Sequence, residues 1–354
     1  MMSQYWAQIR AVIRLEMRKT FFAKRGLWVY LVALAPVLLF AGHAFDMART
    51  REQRHAMAEA RPVSAADLHS IKPGMTKDEV IAKLGEPHRR TSVGGRRRVR
   101  SWISYTDGES LYTFGFVDDE LQNIWINSFG TLADDKPVFA TVFQFFFLRL
   151  AIFFGCVGTF MNLFRGEMID KSLHFYLLAP IRREVLLAGK YLAGLIATTV
   201  IFTASTALQF WFLLLPYEST TTSQYLQNGG WGHLAAYLGV TALACLGYGS
   251  VFLAAGLFFR NPLIPAGLVL VWESMDVFLP AALKKISVIF YLESLCPVVA
   301  GPDRDMNQLL SLLVSSAEPT PAVLAILGLV ALTGVVLFFA SRQARKLEIN
   351  YGTD

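Results

Sequence analysis

Six long apolar runs constrain the fold of this chain more than any other feature. A helix that crosses a membrane needs about 20 consecutive apolar residues. Hydrophobic residues make up 54% of the chain and charged residues 17%, whereas about a quarter of a soluble domain is charged. The pattern predicts a polytopic α-helical membrane protein with six transmembrane helices. The runs are residues 27–43, 139–163, 187–215, 233–259, 262–283 and 322–341.

A shorter apolar stretch, residues 286–300, is interrupted by Glu293 and Pro297. It is too short for a further span, and we interpret it as a re-entrant or interfacial segment.

The net charge of +6 is compatible with an anionic partner such as nucleic acid, or with basic cytoplasmic loops. Basic residues concentrate in residues 1–26, in the loop after the second run and in the tail, residues 342–354. The opposite short loops hold only Lys284, Lys285 and Arg304. The positive-inside rule therefore predicts two cytoplasmic termini, and nucleic acid is not expected as a partner.

Residues 1–26 are predicted to contain an amphipathic helix. Its apolar stripe includes Trp6, Val12 and Met17, and arginines recur at every fourth position from Arg10 to Arg18. One interpretation is a helix in the cytoplasmic membrane interface, with its arginines toward anionic lipid headgroups. The other is a basic flank that only orients the first span.

The insert between the first two spans, residues 44–137, has equal numbers of basic and acidic residues. It is too long for its arginines to control topology, so it is expected to be exported. Thr76 and Glu79 form a T-x-x-E capping box, and Gly85 and Pro87 end the helix that follows. Three strand-like runs, 99–105, 111–117 and 121–127, then predict a small α+β domain with helices on a three-stranded antiparallel sheet.

The segment from Ile71 to Pro87 resembles the SmpA/BamE-like family of small envelope domains. The matching motif, I-x-x-G-M-T-x-x-E-V-x-x-x-L-G-x-P, has every fixed position present. The resemblance implies a periplasmic domain that contacts other proteins. The insert lacks the lipobox cysteine of that family.

A dense basic cluster lies in the insert. It could face anionic lipid or an acidic substrate, or its residues could protect a sheet edge from pairing. Its members are Arg89, Arg90, Arg96, Arg97, Arg98 and Arg100.

The loop after the second span, residues 164–186, is named here the coupling segment. Helical periodicity from Glu167 to Leu178 stops at Pro180, and a second helix follows Arg182 and Arg183. The segment could be a plain basic loop. The helix–proline–helix pattern is also typical of a surface that a soluble partner contacts and displaces.

The coupling segment is similar to that of ABC type-2 exporter permeases. Glu167, the run Leu177-x-x-Pro180-Ile181-x-Arg183, and Gly189-Lys190 match the motifs of that family. The resemblance implies a dimeric permease that binds a separate ATPase at residues 165–180. The implied contacts are Glu167, Met168, Leu173, Tyr176, Leu177, Pro180, Arg182 and Arg183.

Arg149, Glu273 and Asp276 fall within the predicted spans, where an unpaired charge is costly. Chain position puts Arg149 and Glu273 at similar depth, so an ion pair between them is a hypothesis. Such a pair could belong to a transport path or be purely structural. The histidines and cysteines show no metal-site or nucleophile spacing, so neither a metal nor a catalytic residue is expected.

The leading hypothesis is the transmembrane subunit of an ATP-driven exporter in the bacterial inner membrane, with spans two to six in residues 138–341 and an unidentified, lipophilic substrate. No G-x-x-x-x-G-K-[ST] motif occurs, so ATP and Mg²⁺ are expected in two copies of a partner ATPase. Expected partners also include a second permease protomer (homo- or heterodimer), membrane lipids and a periplasmic protein. The alternative is a non-transport anchor that presents the insert to envelope proteins.

Overall fold

The computed structural model describes residues 2–22, 26–94, 99–169, 176, 178, 181–259, 261, 263–275, 278–298 and 320–346. The chain divides into two compact units. One contains Met1–Phe40 with Lys136–Asp354, and the other contains Ala41–Asp135.

The first unit is built from helices that follow the apolar runs. Within the described residues, five stretches are long and apolar enough to cross a membrane: Leu27–Ala60, Leu132–Met168, Arg183–Leu214, Ser219–Phe258 and Ala322–Arg345. In chain order, with α3 and α4 left for the second unit, the α-helices are α1 (Met2–Phe22), α2 (Leu27–Ala60), α5 (Leu132–Thr141), α6 (Phe153–Phe160), α7 (Asn162–Ile169), α8 (Arg183–Leu214), α9 (Ser219–Tyr225), α10 (Trp231–Phe258), α11 (Leu263–Ser274), α12 (Ala281–Lys284), α13 (Val288–Ser294) and α14 (Ala322–Arg345).

The prediction of a span over residues 262–283 is not confirmed among the described residues. α11 has 12 residues, about 18 Å at 1.5 Å per residue, and a bilayer core is about 30 Å thick. α12 begins only after Pro280, whose ring cannot continue a helix from the preceding turn. Apolar composition persisted past the end of the helix, and this misled the prediction.

The second predicted span is not a uniform α-helix. Between α5 and α6 lies an 11-residue π-helix, Val142–Ile152, which we name the π-segment. π-helices pair residues i and i+5 and occur mostly as single-turn bulges. An unbroken run of apolar residues has no period that separates the two helix types, so the sequence did not indicate it.

Glycines let helices of this unit pack closely. A Cβ added to Gly249 of α10 would lie 2.5 Å from Phe160 Cζ, and one added to Gly155 of α6 would lie 2.1 Å from Phe202 Cζ. Both distances are shorter than non-bonded contacts allow, so no larger side chain fits. Small residues at such positions are typical of membrane helix interfaces.

The second unit is a four-stranded antiparallel sheet with short helices. Its strands pair in the order β1-β2-β3-β4. The core combines side chains of the helices, such as Leu68 and Val80, with alternate residues of the strands, such as Phe114. The elements are α3 (Ala65–His69), α4 (Lys77–Leu84), β1 (Arg89–Gly94), β2 (Val99–Thr106), β3 (Ser110–Val117) and β4 (Glu120–Ser128).

The three predicted strands are present as β2, β3 and β4, but the prediction of only three strands is wrong. β1 pairs with β2 from Arg89–Ser104 to Gly94–Val99. Its sequence, Arg-Arg-Thr-Ser-Val-Gly, has almost no apolar residues, because an edge strand at this position needs little burial. The apolar alternation that identifies a strand is therefore missing.

The predicted capping box is confirmed. Thr76 Oγ1 accepts from the backbone N–H of Glu79, and the Glu79 carboxylate accepts from the N–H of Thr76. Gly85 ends α4 with φ of 79°, a conformation that favours glycine.

Replacing the cap should loosen α4. We expect Thr76→Ala to cost about 1 kcal/mol and to reduce the hydrogen-exchange protection of residues 77–84 by about fivefold, because one N–H loses its acceptor. Exchange mass spectrometry of the full chain measures this. Thr76→Ser keeps the hydroxyl and should behave like the wild type. Unchanged protection in the alanine variant would contradict the assignment.

Candidate functional site

The N-terminal helix packs against the third long helix. Val12 of α1 is buried, and a Cβ added to Gly189 of α8 would lie 2.8 Å from Val12 Cβ. Trp6 of the predicted apolar stripe is exposed, and so are Arg10 and Arg14 of the separate arginine stripe. Part of the stripe thus contacts the protein itself, which neither interpretation of α1 anticipated.

A buried lysine lies at this helix contact. Lys190 of α8 has no exposed surface. Its Nζ donates to Glu16 Oε1 of α1 at 2.8 Å and to the backbone oxygen of Leu163 at 2.9 Å. The same nitrogen lies 2.8 Å from Glu167 Oε2 of α7. One ammonium group therefore bridges three helices.

Two further residues complete what we name the Glu16 cluster: Glu16, Lys19, Glu167, Tyr176 and Lys190. Lys19 Nζ donates to Glu167 Oε1 and to the hydroxyl oxygen of Tyr176, both at 2.9 Å. The Tyr176 hydroxyl donates to Glu16 Oε1 at 2.8 Å. Tyr176 and Glu167 belong to the coupling segment, so this segment is joined to α1 through both residues and to α8 through the Glu167–Lys190 pair.

The charges of the cluster compensate each other. Burial raises the pKa of Glu16, but Lys190, Tyr176 and Lys19 outweigh burial and leave that pKa below its usual value. Burial and the two carboxylates raise the pKa of Tyr176, which stays a hydroxyl donor. A buried ion pair of this kind tolerates poorly the loss of one member, because the other charge stays desolvated.

Arginines of the coupling segment also contact the protein itself. The Arg183 guanidinium donates to the backbone oxygen of Arg345 at the end of α14. Arg345 Nε lies 2.6 Å from Glu184 Oε1. The Arg182 guanidinium lies 5.2 Å from the Tyr5 ring centroid of α1. Arg182 and Arg183 therefore fasten the start of α8 to α1 and α14.

Five of the predicted coupling residues are described by the structure. Four of them have partners within the chain: Glu167, Tyr176, Arg182 and Arg183. The fifth, Met168, is partly exposed. Leu173, Leu177 and Pro180 lie outside the described residues. The sequence reasoning missed Leu178, whose surface is 78% exposed. The sequence reasoning identified Lys190 as part of a motif but did not predict its ion pair with Glu16, because the two residues are 174 positions apart.

A second polar cluster lies among the spans. We name Arg149, Tyr248, Glu273, Ser287 and Glu293 the Arg149 cluster. The predicted partner of Arg149 was the Glu273 carboxylate. Instead, the guanidinium donates to Glu293 Oε1 at 2.5 Å and to the backbone oxygen of Glu273 at 2.9 Å. Asp276 lies outside the described residues.

The Glu273 carboxylate serves another purpose. It accepts from the Ser287 hydroxyl at 3.0 Å and from the backbone N–H groups of Val288 and Ile289 at 3.0 and 2.8 Å. The Tyr248 hydroxyl donates to it at 3.3 Å. Glu273 thus caps the start of α13 from another helix, which the depth argument could not reveal.

The basic cluster of the insert is only partly described. Arg89 and Arg90 lie on β1, an edge strand of the sheet, and Arg90 pairs with Glu86. Arg100 lies on β2 and is exposed, whereas Arg96, Arg97 and Arg98 lie outside the described residues. Two arginines on an edge strand agree with protection of that edge.

Among the described residues, no three His, Cys, Asp or Glu side chains are placed to hold a metal ion.

Lys190 should be the residue of the Glu16 cluster most sensitive to neutralisation. We expect Lys190→Met to cost about 3–5 kcal/mol, because two carboxylates lose their buried counter-charge. Lys19→Met should cost less than about 1 kcal/mol, since that side chain is half exposed. Denaturation in detergent measures both. Adding Glu16→Gln to Lys190→Met should recover part of the loss, and additive losses would contradict the pairing.

The lowered pKa of Glu16 sets a pH window. Its carboxylate stabilises the fold above the usual value of 4.5, and this contribution is lost as the pH falls through the folded-state pKa. The wild type should therefore exceed Glu16→Gln in stability near neutral pH, and the difference should shrink on acidification below 4.5. Glu59→Gln, at an exposed carboxylate of α2, is the control and should show no such difference. A stability difference between the wild type and Glu16→Gln that stays the same at all pH values would contradict the assignment.

Comparison with known proteins completes the description of this site. A family model described as ABC-2 family transporter protein matches residues 10–337, and a comparison with curated proteins gave no match. The matched region includes Glu16, the coupling segment, Lys190 and both polar clusters. Permeases of this family are multi-pass membrane subunits of ABC exporters and work with an ABC ATPase. Since the match covers most of the chain, this protein belongs to the ABC-2 family of transporter proteins.

Proposed function

We propose that this chain couples ATP hydrolysis by a separate ATPase to export across the bacterial inner membrane. Two ATPase copies contact residues 165–180 from the cytoplasm, where both termini lie, and the insert is periplasmic. The chain itself is not an enzyme, since ATP and Mg²⁺ are held by the partner. A second permease protomer, identical or different, completes the transporter.

The Glu16 cluster is the observation that carries this proposal. Glu167 and Tyr176 lie in the segment that the ATPase contacts; both bond to residues of α1, and Glu167 also pairs with Lys190 of α8. A displacement of the segment therefore acts on Lys190, which lies one-quarter of the way along α8. α8 has 32 residues, about 48 Å at 1.5 Å per residue, so it is long enough to carry that displacement across the membrane.

The contact with the ATPase itself is assigned to exposed residues of the segment. Leu178 is the strongest candidate in the described part, because a leucine 78% exposed to water favours burial in a partner. Glu167 and Tyr176 position the segment and do not face the partner.

Export of a lipophilic or amphiphilic substrate is the extension of this proposal. It is supported by the apolar spans and by the scarcity of charge within them. The insert, with its SmpA/BamE-like motif, contacts a periplasmic protein in this scheme. Anionic lipids contact the exposed arginines of α1.

Co-purification tests the proposal. The full chain is expected to retain an ATPase carrying a Walker-A motif, and Leu178→Asp should reduce the retained ATPase by about tenfold or more, because a charge opposes burial at a partner surface. Arg10→Ala, at an exposed residue of α1, is the matched control and should retain the ATPase. Thermal unfolding of each variant verifies that the fold persists.

The same measurement distinguishes the alternative. If no ATPase accompanies the wild type in membranes that contain its genomic neighbours, the chain is an anchor that presents the insert. If Leu178→Asp retains the ATPase fully, the contact lies elsewhere on the coupling segment.

A further inference from the structure

The π-segment brings two polar side chains of the second span onto one side. Gln144 and Arg149 are five residues apart, which is the hydrogen-bonding interval of a π-helix. In an α-helix, residues five apart point about 140° away from each other. The π-helix therefore points the side chains of Gln144 and Arg149 in more similar directions than an α-helix would.

Both side chains hold the same neighbouring segment. Gln144 Nε2 donates to the backbone oxygen of Val298 at 2.8 Å. Arg149 donates to Glu293 Oε1, one residue before the end of α13. The two contacts fasten α13 at its C-terminal side.

The N-terminal side of α13 is held differently. The carboxylate of Glu273 caps Val288 and Ile289, and Ser287 bonds to the same carboxylate. The carboxylate lies on α11, and the bonds that join α13 to it come from Ser287, Val288 and Ile289; Arg149 of the π-segment bonds to the backbone oxygen of the same Glu273. The bonds between α13 and the Glu273 carboxylate are therefore made by residues outside 142–152, whereas the contacts at the C-terminal side of α13 are made by Gln144 and Arg149.

α13 also contacts two long helices. A Cβ on Gly247 of α10 would lie 2.9 Å from Val288 Cγ1, and a Cβ on Gly328 of α14 would lie 2.5 Å from Tyr291 Cε1. A change in the orientation of α13 must therefore move α10, α14 or both. The Arg149 and Glu293 side chains are 11% and 30% exposed. Breaking this ion pair therefore does not leave two fully buried charges without a partner.

We propose that the π-segment is a conformational latch of the transport cycle. Conversion of residues 142–152 to α-helical hydrogen bonding turns Gln144 and Arg149 apart and releases the C-terminal side of α13. α13 then pivots about its Glu273 anchor and opens the path between the π-segment, α10 and α14. This inference rests on the proposed export function, whose ATPase supplies the displacement.

Cross-linking between the latch partners tests the inference. Cysteines at Gln144 and Val298, in a chain whose Cys156, Cys245 and Cys296 are replaced by alanine, are treated with a membrane-permeant oxidant that joins neighbouring thiols as a disulfide. The permease–ATPase complex is compared without nucleotide and after trapping with ATP and orthovanadate. The cross-link yield should fall about tenfold on trapping, as expected for a shift from a mostly closed to a mostly open latch.

A matched control pair of cysteines shows whether the fold is preserved. The Thr206 and Thr241 hydroxyls lie 2.9 Å apart between α8 and α10, so cysteines there should cross-link equally in both states. Arg149→Met should lower the 144–298 yield even without nucleotide and without the ATPase, while the 206–241 yield stays unchanged.

The outcomes separate the two proposals. An unchanged 144–298 yield in a complex that hydrolyses ATP overturns the latch and leaves the export function standing. A 144–298 yield unaffected by Arg149→Met overturns it without reference to the ATPase. A chain that forms no ATPase complex overturns the export function and the latch with it.

Discussion

The buried ammonium group of Lys190 is the interaction on which the cytoplasmic side of this protein depends. Its partners are two carboxylates and a backbone oxygen, which belong to α1 and α7, while Lys190 itself belongs to α8. Removing a lysine charge from water is costly, and only a full set of partners offsets that cost. α1, α7 and α8 can therefore adopt this arrangement only together, which makes the helices one mechanical unit around the coupling segment.

The Arg149 cluster follows a different logic. Its carboxylate Glu273 accepts four hydrogen bonds and fixes the start of α13, whereas Arg149 and Glu293 keep some exposure and fix its end. One side of α13 is thus held by a buried carboxylate and the other by side chains that keep some exposed surface. Such asymmetry suits a helix that turns about one end, while the Glu16 cluster suits elements that move as one body.

Local features of the sequence were predictable, and long-range ones were not. Thr76, Glu79 and Gly85 identified α4 because capping depends on residues a few positions apart. β1 was not predicted because an edge strand needs no apolar alternation. The span over 262–283 is not confirmed because the apolar composition continues past the end of the helix. Apolarity likewise gave no sign of the π-segment. Arg149 was correctly placed near Glu273, but a depth argument cannot choose between the carboxylates of Glu273 and Glu293.

The position of Glu16 in the chain has a consequence for biosynthesis. α1 is made before α8, and the lysine that neutralises Glu16 follows 174 residues later. During that interval two membrane stretches and the whole insert must be synthesised, and the carboxylate needs water or headgroup contacts until α8 arrives. Chains made from the N-terminus acquire their contacts in that order. α1 therefore docks on Lys190 only after α8 has been made, and its docking marks a nascent chain whose third long helix is in place.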